Sequence, residues 1–221
     1  MEVACGYPAT MATKPYGKKY RQALELTAKL HDRQFRKGTK IPYVSHPLHV
    51  SALVWEYGGT ETQAIAALLH DSVEDQGGRP LLREIRKRYG KAVARIVEEC
   101  SDSIVDPKKA DNAEKAPWLD RKLAHLDHLA GAHDDTMLVA LADKTHNTEA
   151  MLADGETHGE ELWDRFNAGP EDSIWYQHQM SLIFADRLGA DDPLVRRHSA
   201  ALDALAKQAG VHRDRARPPQ A

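Results

Sequence analysis

The sequence predicts an all-α fold, a helical bundle, on three observations. Apolar residues recur at helical spacing in one segment after another between residues 18 and 209. No stretch carries the alternation and paired turn signals that a sheet needs. Two apolar runs, at 64–69 and 138–142, are too short to cross a membrane and suit a core.

Each element follows in order. Residues 18–37 place Ala23, Leu24, Leu26, Ala28, Leu30 and Phe35 at helical spacing with no proline among them, which predicts a long first helix. Gly38 and Pro42 interrupt it. Ser45 before His46-Pro47 is a good N-cap with proline in the first turn, so a second helix should run to about Glu56. Gly58-Gly59 closes that helix, Thr60 can cap the next, and 61–75 should form a central helix around the 64–69 run. Gly77-Gly78 ends it. Residues 81–89 and 91–99 read as two shorter helices hinged at Gly90, their basic residues forming a solvated face. From 102 to 117 the chain turns polar, and a mobile loop bordering a site is expected there. Helical patterning resumes at 118–129, 135–152, 174–188 and 193–209. One domain is expected over 17–209, between a flexible start at 1–16 and a disordered tail at 210–221.

Composition narrows the function. With 42% hydrophobic and 29% charged residues the chain has the balance of a soluble globular protein, and a net charge of −3 supplies no global attraction to nucleic acid or an anionic membrane. Recognition of phosphate must then come from a local basic cluster. Only Cys5 and Cys100 are present, which argues against a disulfide framework and for a cytoplasmic location, with Cys100 a buried thiol.

The strongest chemical signal is His70-Asp71-Ser72-Val73-Glu74-Asp75, directly after the buried run. Imidazole nitrogen and carboxylate oxygen both suit a divalent metal of intermediate hardness, and His70 and Asp71 supply one of each. At about 3.6 residues per turn, Glu74 lies one turn past His70 and Asp75 one turn past Asp71, placed to handle a proton. A lone His-Asp pair is weak evidence, as His31-Asp32 and His133-Asp134 illustrate. The second apolar run, however, also ends in a carboxylate, Asp143, followed by Lys144-Thr145-His146-Asn147.

Taken with Arg36-Lys37 and Tyr43-Val44-Ser45-His46-Pro47-Leu48, these segments resemble the HD superfamily, and within it the hydrolase domain of the RelA/SpoT family and its stand-alone alarmone hydrolases. The resemblance runs roughly from Ala23 to Ala150. It implies an HD-domain helical bundle in which His46, His70, Asp71 and Asp143 hold one divalent metal ion, usually manganese, with positions open for water and substrate. It places Glu74 and Asp75 in the catalytic acid–base role, Arg36 and Lys37 against the nucleotide, and Lys144 and Asn147 among the substrate contacts. The implied activity is removal of the 3′-pyrophosphate from ppGpp or a related alarmone of the stringent response. The partner is then a small-molecule nucleotide, without nucleic acid or membrane, and the oligomeric state stays open. Two alternatives remain: a phosphatase on another nucleotide such as NADPH or an adenosine alarmone, and a non-catalytic nucleotide-binding or antitoxin-like protein, against which the presence of Glu74 and Asp75 argues.

His31, His49 and His146 fall at non-ligand positions of the resemblance and read as packing or supporting hydrogen bonds, while His125 and His128 read as surface residues. Trp163, Trp175 and Tyr176 read as core aromatics. Two departures stand out. The connection from Lys37 to Pro42 is one residue longer than the family pattern, and Glu149 stands where a basic residue is common, so a Glu149 that borders the pocket should repel substrate phosphate.

Overall fold

The computed structural model describes residues 15–101, 117–166 and 168–215. Its helices are α1 (Lys18–Leu30), α2 (Ser45–Glu56), α3 (Glu61–Leu69), α4 (Gly78–Tyr89), α5 (Lys91–Cys100), α6 (Trp118–Ala130), α7 (Asp134–His158), α8 (Pro170–Leu188) and α9 (Pro193–Gln208). Among the described residues the one β feature is an isolated bridge between Phe35 and Pro42. No helix of the described residues is long and apolar enough to cross a membrane.

Six consecutive apolar residues leave α3 no polar face, and it occupies the centre. Residues 64–69 are each at most 2% exposed, packed among α1, α2, α5 and α7. Each buried leucine or isoleucine of this run contributes about 1.5–3 kcal/mol. The start of α3 is a capping box, Thr60 Oγ1 accepting from Gln63 N while the Gln63 side chain accepts from Thr60 N. Polar groups drawn into the core are paired: Thr27 Oγ1 donates to Leu68 O at 2.9 Å, and Ser51 Oγ to Ala64 O at 3.0 Å. The second apolar run lies in α7, where residues 139–142 are buried and carry Asp143 inward with them.

Several boundaries differ from the sequence reading. The first helix stops at Leu30, because residues 34–43 bond to one another instead: Arg36 N donates to Ile41 O at 2.9 Å and Tyr43 N to Gln34 O at 2.8 Å. Gly38, with φ of +72°, makes the reversal. Phe35 is 58% exposed and is no part of the apolar stripe. Ser45 opens α2 without capping it; its hydroxyl donates to Pro42 O at 2.8 Å. The central helix ends at Leu69, not at Asp75, and the chain passes through a π-helical turn, Val73–Gly77, that Gly78 closes with φ of +53°.

His125 is buried at 4% exposure, a correction to its expected surface position; α6 turns its Leu126 and Leu129 face inward and carries His125 beside Tyr176. The tail expected to be disordered from 210 contains a 3-10 turn, Arg213–Arg215, in which Arg213 donates to Ser199 Oγ at 2.8 Å and Ser181 Oγ at 3.1 Å. Most of the expected flexible start and nearly all of the 102–117 loop lie outside the described residues.

Candidate metal centre and adjoining cavity

Three elements bring the chemistry together. The first turn of α2 carries His46, the end of α3 presents His70 and Asp71, and the middle of α7 contributes Asp143. His46, His70 and Asp143 each offer a donor atom within 4.8 Å of the others. His46 Nε2 lies 3.1 Å from Asp143 Oδ1 and 3.4 Å from Asp71 Oδ2, while His70 Nε2 lies 2.9 Å from Asp71 Oδ2 and 3.5 Å from Asp143 Oδ1. All four residues named from the sequence as metal donors are thus neighbours.

The tautomers suit a cation. His70 Nδ1 donates to Ala67 O at 2.8 Å, so Nε2 is the ring atom turned to the centre, buried and, among the described residues, without a hydrogen-bond partner. At His46 the argument runs through a neighbour. Arg36 Nη1 lies 3.2 Å from His146 Nδ1, and a guanidinium can only donate, so His146 Nδ1 is an acceptor. The 2.7 Å contact between His46 Nδ1 and His146 Nδ1 then carries its proton on His46 Nδ1, and Nε2 is the ring atom that faces the centre. His146 itself stays neutral: burial, with the charges of His46 and Arg36, holds its pKa down to about 3. Its supporting role agrees with its non-ligand position.

Two carboxylates beside two imidazoles are a donor set that a divalent ion fits. Burial works against charge on Asp71 and Asp143, yet the neighbouring His70 and Lys144 respectively keep each carboxyl well below its usual range, so both are anionic. The Tyr43 hydroxyl donates to Asp71 Oδ2. Asn147 Nδ2 donates to Asp143 Oδ1 at 2.6 Å, and Lys144 Nζ lies 2.9 Å from Asp143 Oδ2. Lys144 and Asn147, expected as substrate contacts, therefore also hold Asp143.

Glu74 and Asp75 stand on the π turn at the rim of a polar recess of about 220 Å3, which Cys100 also lines. The thiol is half-buried, and burial raises its pKa. Asp75 is exposed as a residue, but desolvation of its carboxyl and the charge of Asp71 raise its pKa. Glu74 also borders the adjoining cavity, about 460 Å3 in volume, whose wall includes Arg36, Lys37, Lys144 and Asn147.

Sequence reasoning missed part of that wall. Arg121, Lys122 and Arg165 line the cavity with Trp118, Phe166 and Tyr176. Lys122 Nζ sits 4.5 Å over the Tyr176 ring and Lys37 Nζ 5.9 Å over Phe166. No local signal distinguished Arg121-Lys122 from any other basic pair of an exposed helix face. Tyr176, read as core, is both buried and part of the wall, whereas Trp175 packs in the core and Trp163 against the smaller cluster of Ile174, Leu202 and Ala206. Glu149 is not among the residues that line the cavity; it pairs with Arg197 of α9, with contacts of 2.6 and 3.0 Å, so the condition under which it would repel substrate is not met.

Residues 23–167 match a family model described as HD domain. Guanosine-3′,5′-bis(diphosphate) 3′-pyrophosphohydrolase MESH1 of Xenopus tropicalis is 36% identical over 129 residues, 57% of this chain and 65% of the relative, and the Homo sapiens protein of that name is 35% identical over the same shares. The match thus spans just under two thirds of these relatives' length. The guanosine-3′,5′-bis(diphosphate) 3′-pyrophosphohydrolase of Aquifex aeolicus is 34% identical over 137 residues, 62% of this chain and 18% of the relative. Among solved structures, one described as "A metazoan ortholog of SpoT hydrolyzes ppGpp and plays a role in starvation responses" superposes with a TM-score of 0.63 at 25% identity, covering 90% of this chain and 100% of that one.

Proposed function

The chain belongs to the HD-domain family, and on that premise we propose that it is a metal-dependent phosphohydrolase of ppGpp-like nucleotides, releasing pyrophosphate from the 3′ position and leaving the nucleoside with its 5′ phosphates intact. The observation that carries this reading is the opening of the His46, His70, Asp71 and Asp143 cluster beside a cavity walled by Arg36, Lys37, Arg121, Lys122, Lys144 and Arg165. Glu74 and Asp154 are the acidic residues of that wall. A polyanion with an aromatic base is the ligand that such a surface complements. A cytoplasmic location is part of the same reading, a nucleotide being an intracellular metabolite.

His46, His70, Asp71 and Asp143 would hold the ion, for which manganese is proposed. When bound, such an ion polarises phosphoryl oxygen and makes water more acidic. The chain's own residues do the rest. Tyr43, Asn147 and Lys144 hold the two carboxylates, and the Arg36–His146–His46 contacts orient one imidazole. Arg36, Lys37 and Lys144 neutralise phosphate charge, with Trp118, Tyr176 and Phe166 available as ring faces for the base. Glu74 and Asp75 handle protons: one carboxylate takes a proton from the water that attacks phosphorus, and a proton returns to the 3′ oxygen as its bond to phosphorus breaks.

The test is a manganese-supplemented turnover panel of ppGpp, pppGpp, ppApp and NADPH with pyrophosphate and phosphate both quantified. Pyrophosphate from ppGpp is the expected product. Phosphate from NADPH alone, or no product from a metal-loaded protein, overturns the reading.

A further inference from the structure

We propose that Gln34 is a positioning residue that holds the Asp75 carboxylate in its working orientation, backed by His31 and Ser72; the proposal rests on the reading of Asp75 as a proton-handling group. Gln34 Nε2 donates to Asp75 Oδ2 at 2.8 Å. The orientation of this amide is fixed from its other end, where Oε1 accepts from His31 Nδ1 at 2.6 Å and from Gln76 Nε2 at 2.7 Å. Reversing the amide would set NH2 against two donors and oxygen against a carboxylate, so only one orientation satisfies all three contacts.

The support behind Gln34 is rigid. His31 is 2% exposed at the end of α1. Its Nδ1 carries the proton for Gln34, which leaves Nε2 as an acceptor 3.4 Å from the hydroxyl of the buried Ser72. The ring also lies against Tyr43, with centroids 4.9 Å apart, and the Gln34 main-chain oxygen accepts from Tyr43 N at 2.8 Å. Gln76 belongs to the same π turn as Asp75, so Gln34 ties the connector after α1 to that turn at two points.

Asp75 has particular need of this arrangement. It sits exposed on a single π-helical turn, where little packing selects among its staggered side-chain rotamers. A directed N–H donor selects one. A misplaced acid or base costs turnover more than binding, by roughly ten- to a hundredfold for a displacement near 1 Å.

Manganese-loaded Gln34→Glu and Gln34→Ala proteins, assayed with ppGpp beside wild type, should lose roughly ten- to a hundredfold in kcat with KM and metal content held. In an Asp75→Asn background the same changes should cost little more, since the group they position is already disabled. In metal-free protein, the Gln34 side-chain amide signals of a 1H–15N spectrum should move on Asp75→Asn and on His31→Phe. Should Gln34→Ala unfold, Gln34→Glu decides, because it keeps an acceptor for His31 and Gln76 and turns the donor that faces Asp75 into a repelling carboxylate oxygen. A kcat within twofold of wild type for Gln34→Glu overturns the proposal, as does an equal loss in both backgrounds. A wild-type protein inert on every nucleotide refutes the hydrolase reading instead, and an unmoved Gln34 amide refutes the contact itself whatever the turnover.

Discussion

At His70 a ring nitrogen that no hydrogen bond among the described residues satisfies is buried 2.9 Å from a carboxylate oxygen of Asp71, a place that a divalent cation would complete. The expected consequence is that His70→Ala or Asp143→Ala removes bound metal and activity together, since each deletes one donor from a small set. Metal content by elemental analysis checks this, and full occupancy in either variant would falsify the assignment. Glu74 differs in kind. It borders both recess and cavity while the four donors lie behind it, so Glu74→Gln should keep the metal and lower kcat by about a hundredfold or more. A near-normal kcat removes Glu74 from the mechanism.

At the scale of elements, the contact of α9 with α7 and α8 carries two charges that the site does not use. Glu149 of α7 meets Arg197 of α9, so Glu149→Arg sets two guanidinium groups against each other. The change should lower the melting temperature by roughly 2–4 °C for a loss of about 1 kcal/mol, and leave KM for ppGpp unchanged. A lower KM would return Glu149 to the pocket. His198 of α9 is fully buried against Phe184 of α8, with neither ring nitrogen hydrogen-bonded among the described residues. Burial, aided by the charges of Arg213 and Lys144, pushes its pKa down to about 4. Between that value and about 6.5 the unfolded chain binds the proton that the folded chain refuses, so stability rises with pH across this window and is lower by about 3 kcal/mol below it. Denaturant titrations at pH 7 and pH 4.5 should show a smaller difference for His198→Leu than for wild type. The same variant should be the more stable at pH 7, because it removes unsatisfied buried polar atoms. An unchanged pH difference assigns the acid sensitivity to other groups.

For the whole molecule, the core around α3 is apolar and self-sufficient, and the donors sit at its edge. Chelation should therefore abolish turnover while leaving the helical circular dichroism intact, with only the melting temperature falling by the lost binding linkage. Collapse of the helical signal on chelation would mean that the ion organises the fold.

Periodicity and short motifs made the helices legible, because a helix declares itself within a window of a dozen residues and the apolar runs before His70 and Asp143 could only be core. Donor chemistry, a property of residue type, made His70 and Asp71 legible as a pair, whereas the full set of His46, His70, Asp71 and Asp143 was legible only through the family resemblance that the motifs carry. The breaks inside apparently continuous helices, at Leu30 and Leu69, were not legible: there hydrogen bonds within 34–43 and a π turn compete with helix extension, and the outcome depends on what packs alongside. Nor was the direction of Glu149, or the inward face of Arg121 and Lys122, since α6 and α8 decide the wall of the cavity and lie far from the motifs in the chain. Residue chemistry and local periodicity are written along the chain, whereas which charge faces substrate and which faces another helix is settled only when α6 to α9 pack, because charge pairing is set by distance in space.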